Sequence, residues 1–170
     1  MEKTTMAGKI NFREEVNKQK PLKGVLRCKV YQRVNGERKL IDEFENQNLI
    51  VDTGREQMAK LVAGEFGQRN IAKIGFGTNN APAAAQDTGL TGAYVKPLDG
   101  FEYPKVGHVK FKFVLNENEA NGKKIIEFGL FCEDGVLFAR RRREKENGDV
   151  SDPIPKESDI SLEGTWTIEF

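Results

Sequence analysis

The sequence predicts a mainly β fold: an antiparallel β-sandwich with one short α-helix and an extended N-terminal arm. Three observations carry that expectation. In Asp159 to Phe170 the apolar side chains of Ile160, Leu162, Trp166, Ile168 and Phe170 fall on alternate positions, with Ser161, Glu163, Thr165, Thr167 and Glu169 between them. Strict period two marks a strand with one buried and one wet face. Apolar runs also bracket Asn35-Gly36 and Asp134-Gly135, dipeptides that supply the positive φ angles of tight hairpin turns. Against these strands the chain offers a single helical stripe, Met58, Leu61 and Val62.

Residues 1–23 form the predicted arm and 24–170 the sandwich domain. The arm is polar and mixed in charge, with Ile10, Phe12 and Val16 as isolated apolar anchors. Such a composition cannot bury enough surface to fold alone. It reads either as a disordered tail or as an arm that orders on a neighbour, by strand addition or by seating Phe12 in a pocket.

The domain opens with a hairpin, Val25 to Val34 and Arg38 to Asn46, whose residues Leu26, Cys28, Val30, Gln32 and Val34 face inward. Thr53 and Glu56 then stand at capping-box spacing and Gly64 at a C-terminal glycine position, so a helix is expected over Thr53 to Ala63, its apolar stripe covering an open end of the sandwich. Ile71 to Phe76 is the next strand, followed by a long irregular loop through Leu90. Lys96 to Tyr103 reads as a short edge strand. His108 to Leu115 alternates, with Val109, Phe111, Phe113 and Leu115 inward and Lys110 and Lys112 outward. Lys124 to Cys132 and Val136 to Arg143 complete the sheet with Asp159 to Phe170, and everything earlier packs on the face carrying Trp166.

Composition excludes several function classes. The 170 residues suffice for a core without disulfides, and the 11 Phe supply much of it. A net charge of +1 gives no global field toward nucleic acid or a membrane surface. No apolar run approaches the roughly 20 residues that span a bilayer. Cys28 and Cys132 lie in separate strands without CxxC spacing and are expected reduced. One histidine, His108, cannot build a triad without a neighbouring nucleophile motif, nor a zinc site with two distant cysteines. Gly75-Phe76-Gly77 lacks the third glycine and the lysine of a phosphate loop. Glu127, Glu163 and Glu169 occupy outward strand positions, where a charged residue is ordinarily solvated. No catalytic residue, metal or cofactor is therefore expected.

Two features remain for interaction. One is the arm. The other is Arg140-Arg141-Arg142-Arg143, where strand alternation sends Arg140 and Arg142 to one face and Arg141 and Arg143 to the other. Guanidinium forks suit carboxylates on an adjacent subunit, and the neighbouring acids Glu144 and Glu146 favour a protein partner over nucleic acid. Tyr94, Phe101 and Tyr103 could stack on a glycan, although core filling is the preferred reading of those rings.

Several segments resemble a group of small structural proteins of tailed bacteriophages, tail or tail-fibre components. They are Asn48-Leu49-Ile50-Val51-Asp52-Thr53-Gly54, Ile71 to Thr78, Ala81-Pro82 and Asp87-Thr88-Gly89-Leu90. Ile126 to Phe131, Asp134-Gly135, Leu137-Phe138-Ala139-Arg140 and Gly164 to Ile168 extend the match, which covers roughly Asn48 to Phe170. The four arginines and the segment Asn147 to Pro155 exceed the group's pattern. The resemblance implies a non-enzymatic virion protein made in the host cytoplasm and assembled in many copies at the tail, neck or fibre attachment. Its partners would be copies of itself and other virion proteins, not a membrane. A capsid decoration protein and a carbohydrate-binding host-recognition module are the alternatives.

Overall fold

The computed structural model describes residues 22–170, so Ile10, Phe12 and Val16 lie outside the described residues. The expected hairpin forms as β1 (Lys23–Val34) and β2 (Glu37–Ile50). At its tip Asn35 and Gly36 take φ of 52° and 82°, the paired positive values that a two-residue turn matched to strand twist requires. The other strands are β3 (Ile71–Gly77), β4 (Tyr94–Pro97), β5 (Gly100–Glu102), β6 (His108–Leu115), β7 (Lys123–Ile125), β8 (Glu127–Cys132), β9 (Leu137–Arg142), β10 (Ile154–Lys156) and β11 (Ile160–Glu169). The predicted edge strand over Lys96 to Tyr103 is thus two strands, β4 and β5.

Nine strands form one antiparallel sheet in the order β4-β3-β8-β9-β2-β1-β11-β6-β5, while β7 and β10 make a separate ribbon. The sheet curls until its halves face each other. Phe76 on β3 meets Phe113 on β6 edge to face at 5.9 Å, although five strands lie between them in the hydrogen-bonded order. Phe44 on β2 likewise meets Phe128 on β8 at 5.6 Å. β2 joins the halves: it pairs along most of its length with β1 and only through Leu49 and Ile50 with β9.

The two edges of the sheet are consecutive in the chain. Between β4 and β5 stand only Leu98 and Asp99, and these bond to opposite halves: Leu98 N–H to Ala72 O and Asp99 N–H to Lys112 O. Lys96 Nζ reinforces the seam, donating to Val114 O at 2.6 Å and to both Glu119 oxygens. Curling thereby limits the exposed edge that an open sheet would offer to other chains.

Trp166 is buried at the centre, as expected, and donates from Nε1 to Asn48 Oδ1 at 3.0 Å. The alternation along β11 breaks at three places. Ser161 and Thr167 are buried although they fall on the expected wet face. Phe170, one residue past the last register pair, is exposed instead of inward.

The helix α1 (Asp52–Val62) starts one residue early and does not use the expected capping box. Thr53 Oγ1 donates to Leu137 O on β9 at 2.6 Å. The Thr53 hydroxyl therefore ties the helix to the sheet instead of closing its first turn. Its buried residues are Gly54 and Gln57, not the apolar stripe: Met58 is half-buried against the core and Val62 is exposed. A Cβ on Gly54 would lie 2.1 Å from Phe138 O, so this glycine is what lets the helix approach β9. Gly64 has φ of +92°, the αL geometry of a helix-ending glycine.

Candidate functional site

Strand alternation along β9 turns Arg140 toward the loop between β3 and β4, and there its guanidinium is buried. Nε donates to Glu127 Oε2 at 2.7 Å. One terminal nitrogen donates to Asp87 Oδ2 at 2.8 Å and Pro82 O at 3.0 Å, and the other to Ala81 O at 3.0 Å. Glu127 spends its second oxygen on the same loop, accepting from Asn79 N–H at 3.1 Å and Thr91 N–H at 2.7 Å. A buried ion pair is tolerable only when its remaining hydrogen-bonding capacity is met, and here the loop's own backbone meets it. Glu127 is therefore not a solvated strand residue. β8 lies between β3 and β9, and the loop from Thr78 to Thr91 folds over its end.

The glycines near this site have a packing role. A Cβ on Gly77 would sit 2.4 Å from Glu127 Oε1, and one on Gly75 2.6 Å from the Phe131 ring. Gly75 and Gly77 leave room for a carboxylate and an aromatic ring of this chain, and no phosphate cradle is formed by them.

The remaining arginines also find partners inside the chain. Arg142 donates to Asn80 O at 3.0 Å and to Glu144 Oε1 at 2.9 Å, while Arg141 pairs with the other Glu144 oxygen. Arg143 pairs with Asp42, donates to Asp152 O, and lies over the Phe44 ring at 4.8 Å. Burial lowers the pKa of Arg141 below that of an ordinary guanidinium, against the opposing field of Glu144. The alternation holds, since Arg140 and Arg142 both reach the loop. The carboxylates expected from a neighbouring subunit, however, are supplied by Glu127, Asp87, Glu144 and Asp42 of the chain itself.

One corner of the fold leaves apolar side chains exposed. Phe101 on β5 is 61% exposed, Tyr103 75%, Val106 99% and Phe170 68%. The Phe101 and Tyr103 rings meet edge to face at 5.7 Å, and Phe101 leans on Phe111 at 6.3 Å. Phe170 N–H donates to Gly107 O at 2.8 Å, bringing the chain's last residue to the same corner. Core filling, the expected role of Phe101 and Tyr103, is thus not what they do. β5 is a three-residue edge strand, and among the described residues no strand pairs beyond it. Tyr94 is half-buried, with its hydroxyl toward Glu119 Oε1 at 3.4 Å. Sequence reasoning missed Val106, which has no periodic context, and Phe170, whose alternation pointed inward.

His108, Lys156 and the two cysteines have structural surroundings. His108 Nε2 lies 3.7 Å from Glu169 Oε1 and its Nδ1 2.9 Å from Val106 O. Lys156 is buried and donates to Glu117 O, Asn121 Oδ1 and Glu157 O; that burial lowers its pKa. Cys28 and Cys132 are unpaired and buried. Burial pushes the Cys28 thiol far up and the Cys132 thiol up to about 12, Asp134 adding to the latter. Among the described residues no group of three His, Cys, Asp or Glu is placed to hold a metal ion, and no helix is long and apolar enough to cross a membrane.

No family model, curated protein or solved structure matches the chain. Segments far apart in the sequence converge at this site. Ala81-Pro82, Asp87, Glu127 and Arg140 join the loop to the sheet, and Leu90 packs with Val51, Phe131 and Leu137. Asp52 N–H donates to Ala85 O at 2.8 Å, fixing the same loop to the start of α1.

Proposed function

We propose that the protein is a non-enzymatic structural component of a tailed bacteriophage particle, present in many copies at the tail, the neck or the fibre attachment. One observation carries this reading. The residues that resemble phage structural proteins spend their polar groups on fixing a long loop to the sheet, whereas an apolar corner rimmed by Phe101, Tyr103, Val106 and Phe170 is left exposed. Patches of exposed aromatic residues serve contact with other molecules. On this reading the protein's partners are copies of itself and other virion proteins, reached through that corner and the arm bearing Ile10, Phe12 and Val16.

The same surfaces would serve a decoration protein on the capsid. The exposure of Phe101 and Tyr103 favours a further reading, host-glycan binding, because an open aromatic face can stack on a sugar ring.

Quantitative mass spectrometry of purified particles tests the proposal. The protein should be present in stoichiometric amounts: a high copy number would assign it to the shell or tail tube, and a low one to the neck, baseplate or fibre. Its absence from particles made in cells that express it would overturn the proposal. Retained loading of a Tyr103→Ala variant, with loss of glycan binding, would move the aromatic corner from assembly to host recognition.

A further inference from the structure

Among the described residues β2 is the longest strand, and most of one side of it is unpaired. β1 covers the other side from Glu37 to Asn48, whereas β9 reaches the open side only at Leu49 and Ile50. Just before that point Asn46 uses its side chain instead, exchanging bonds with Glu144 O and N–H at 3.1 Å each. From Glu37 to Phe44 no backbone group on the open side is bonded among the described residues. The residues beside a two-residue turn exchange both hydrogen bonds, and the pairs alternate from there. Glu37 and Lys39 therefore bond to β1, while Arg38 and Leu40 point their N–H and C=O away from it. An edge of this kind is a template for a further strand.

Charge along the edge is sorted by sign around an apolar step. Arg38 and Lys39 precede Leu40 and Ile41, and Asp42 and Glu43 follow. Leu40 is 49% exposed and Ile41 52%. Ile41 is the extra residue where the register with β1 shifts, since Tyr31 faces Leu40 and Val30 faces Asp42. That bulge puts Arg38 and Glu43 on one face of the sheet: Arg38 pairs with Glu163 at 2.6 Å, and Glu43 stands in register with Lys29 and so with Glu163. Lys39 and Asp42 share the other face, opposite Gln32 and Val30. An antiparallel copy with its twofold axis at Leu40 then sets Arg38 against Glu43 of the second copy and Lys39 against Asp42, each twice. Moving the axis by one pair sets Lys39 or Asp42 against itself, so like charges reject the neighbouring registers.

We propose that two copies of this chain join edge to edge through β2, antiparallel and about a twofold axis at Leu40, so that their sheets become continuous. One edge paired with itself closes at two copies. The pairing is a property of the isolated protein, so it stands or falls separately from a place in a virion.

Sedimentation velocity of the full chain across the micromolar range tests it beside the variants Arg38→Glu and Glu43→Arg. Both residues are exposed, and emission from the buried Trp166 reports that each variant stays folded. The wild type should form dimers, and each variant alone should dimerise about tenfold or more weakly, because like charges then oppose each other twice. An equimolar mixture of the two variants should regain wild-type association, since each reversed charge meets its opposite on the other chain. A wild type that stays monomeric throughout would overturn the proposal. So would association that the single variants leave unchanged, which would assign self-contact to another surface such as the aromatic corner. A mixture that associates no better than its components would overturn it as well.

Discussion

Arg140 and Glu127 meet at 2.7 Å where neither side chain reaches solvent, and between them they bond both arms of the loop from Asn79 to Thr91. Removing one partner strands the other's charge in the interior. Arg140→Met should therefore destabilise the fold by roughly 3–5 kcal/mol, measured by urea denaturation. Asp87→Ala should cost less, because Asp87 is partly exposed and water can replace its bond to Arg140.

Gly77 and Glu127 are coupled by contact. A methyl group on Gly77 would overlap the Glu127 carboxylate, so Gly77→Ala should cost about 1–3 kcal/mol, the range for overpacking a close-fitted site. In a Glu127→Ala background that cost should shrink, since the displaced group is gone. A double-mutant cycle of denaturation free energies measures the difference.

The aromatic corner should behave in the opposite way. Phe101→Ala and Tyr103→Ala remove rings that are mostly in solvent, and each should change stability by about 0.5 kcal/mol or less. If the corner is an assembly surface, the same variants should load poorly onto particles lacking the protein. Copies bound per particle, compared with the melting temperature of each variant, separate the two effects.

Stability should fall with acid at the seam of the sheet. Burial pushes the Glu119 carboxyl up, but Lys96 and the Asn116 N–H together outweigh it and hold the pKa below its ordinary 4.5. A carboxyl with a depressed folded pKa contributes stability that is present above its unfolded value and is lost as pH falls through the folded one. Wild type should thus lose more melting temperature between about pH 5 and about pH 3 than Glu119→Gln does. Equal losses would remove Glu119 from the seam's pH response.

The sequence by itself determined the class of fold, the first hairpin, one helix and the inward set of β6, because alternation and turn chemistry act between residues close along the chain. Only the tertiary structure decided that Glu127 is buried on Arg140, that Gly77 makes space for it, and that Phe170 and Phe101 remain outside. Those outcomes depend on which strands become neighbours and where the curled sheet ends. A glutamate between apolar residues has the same local pattern whether its carboxylate meets water or a guanidinium 13 positions away. An aromatic residue at an inward register is buried only if another strand continues beside it, and at β5 the sheet stops.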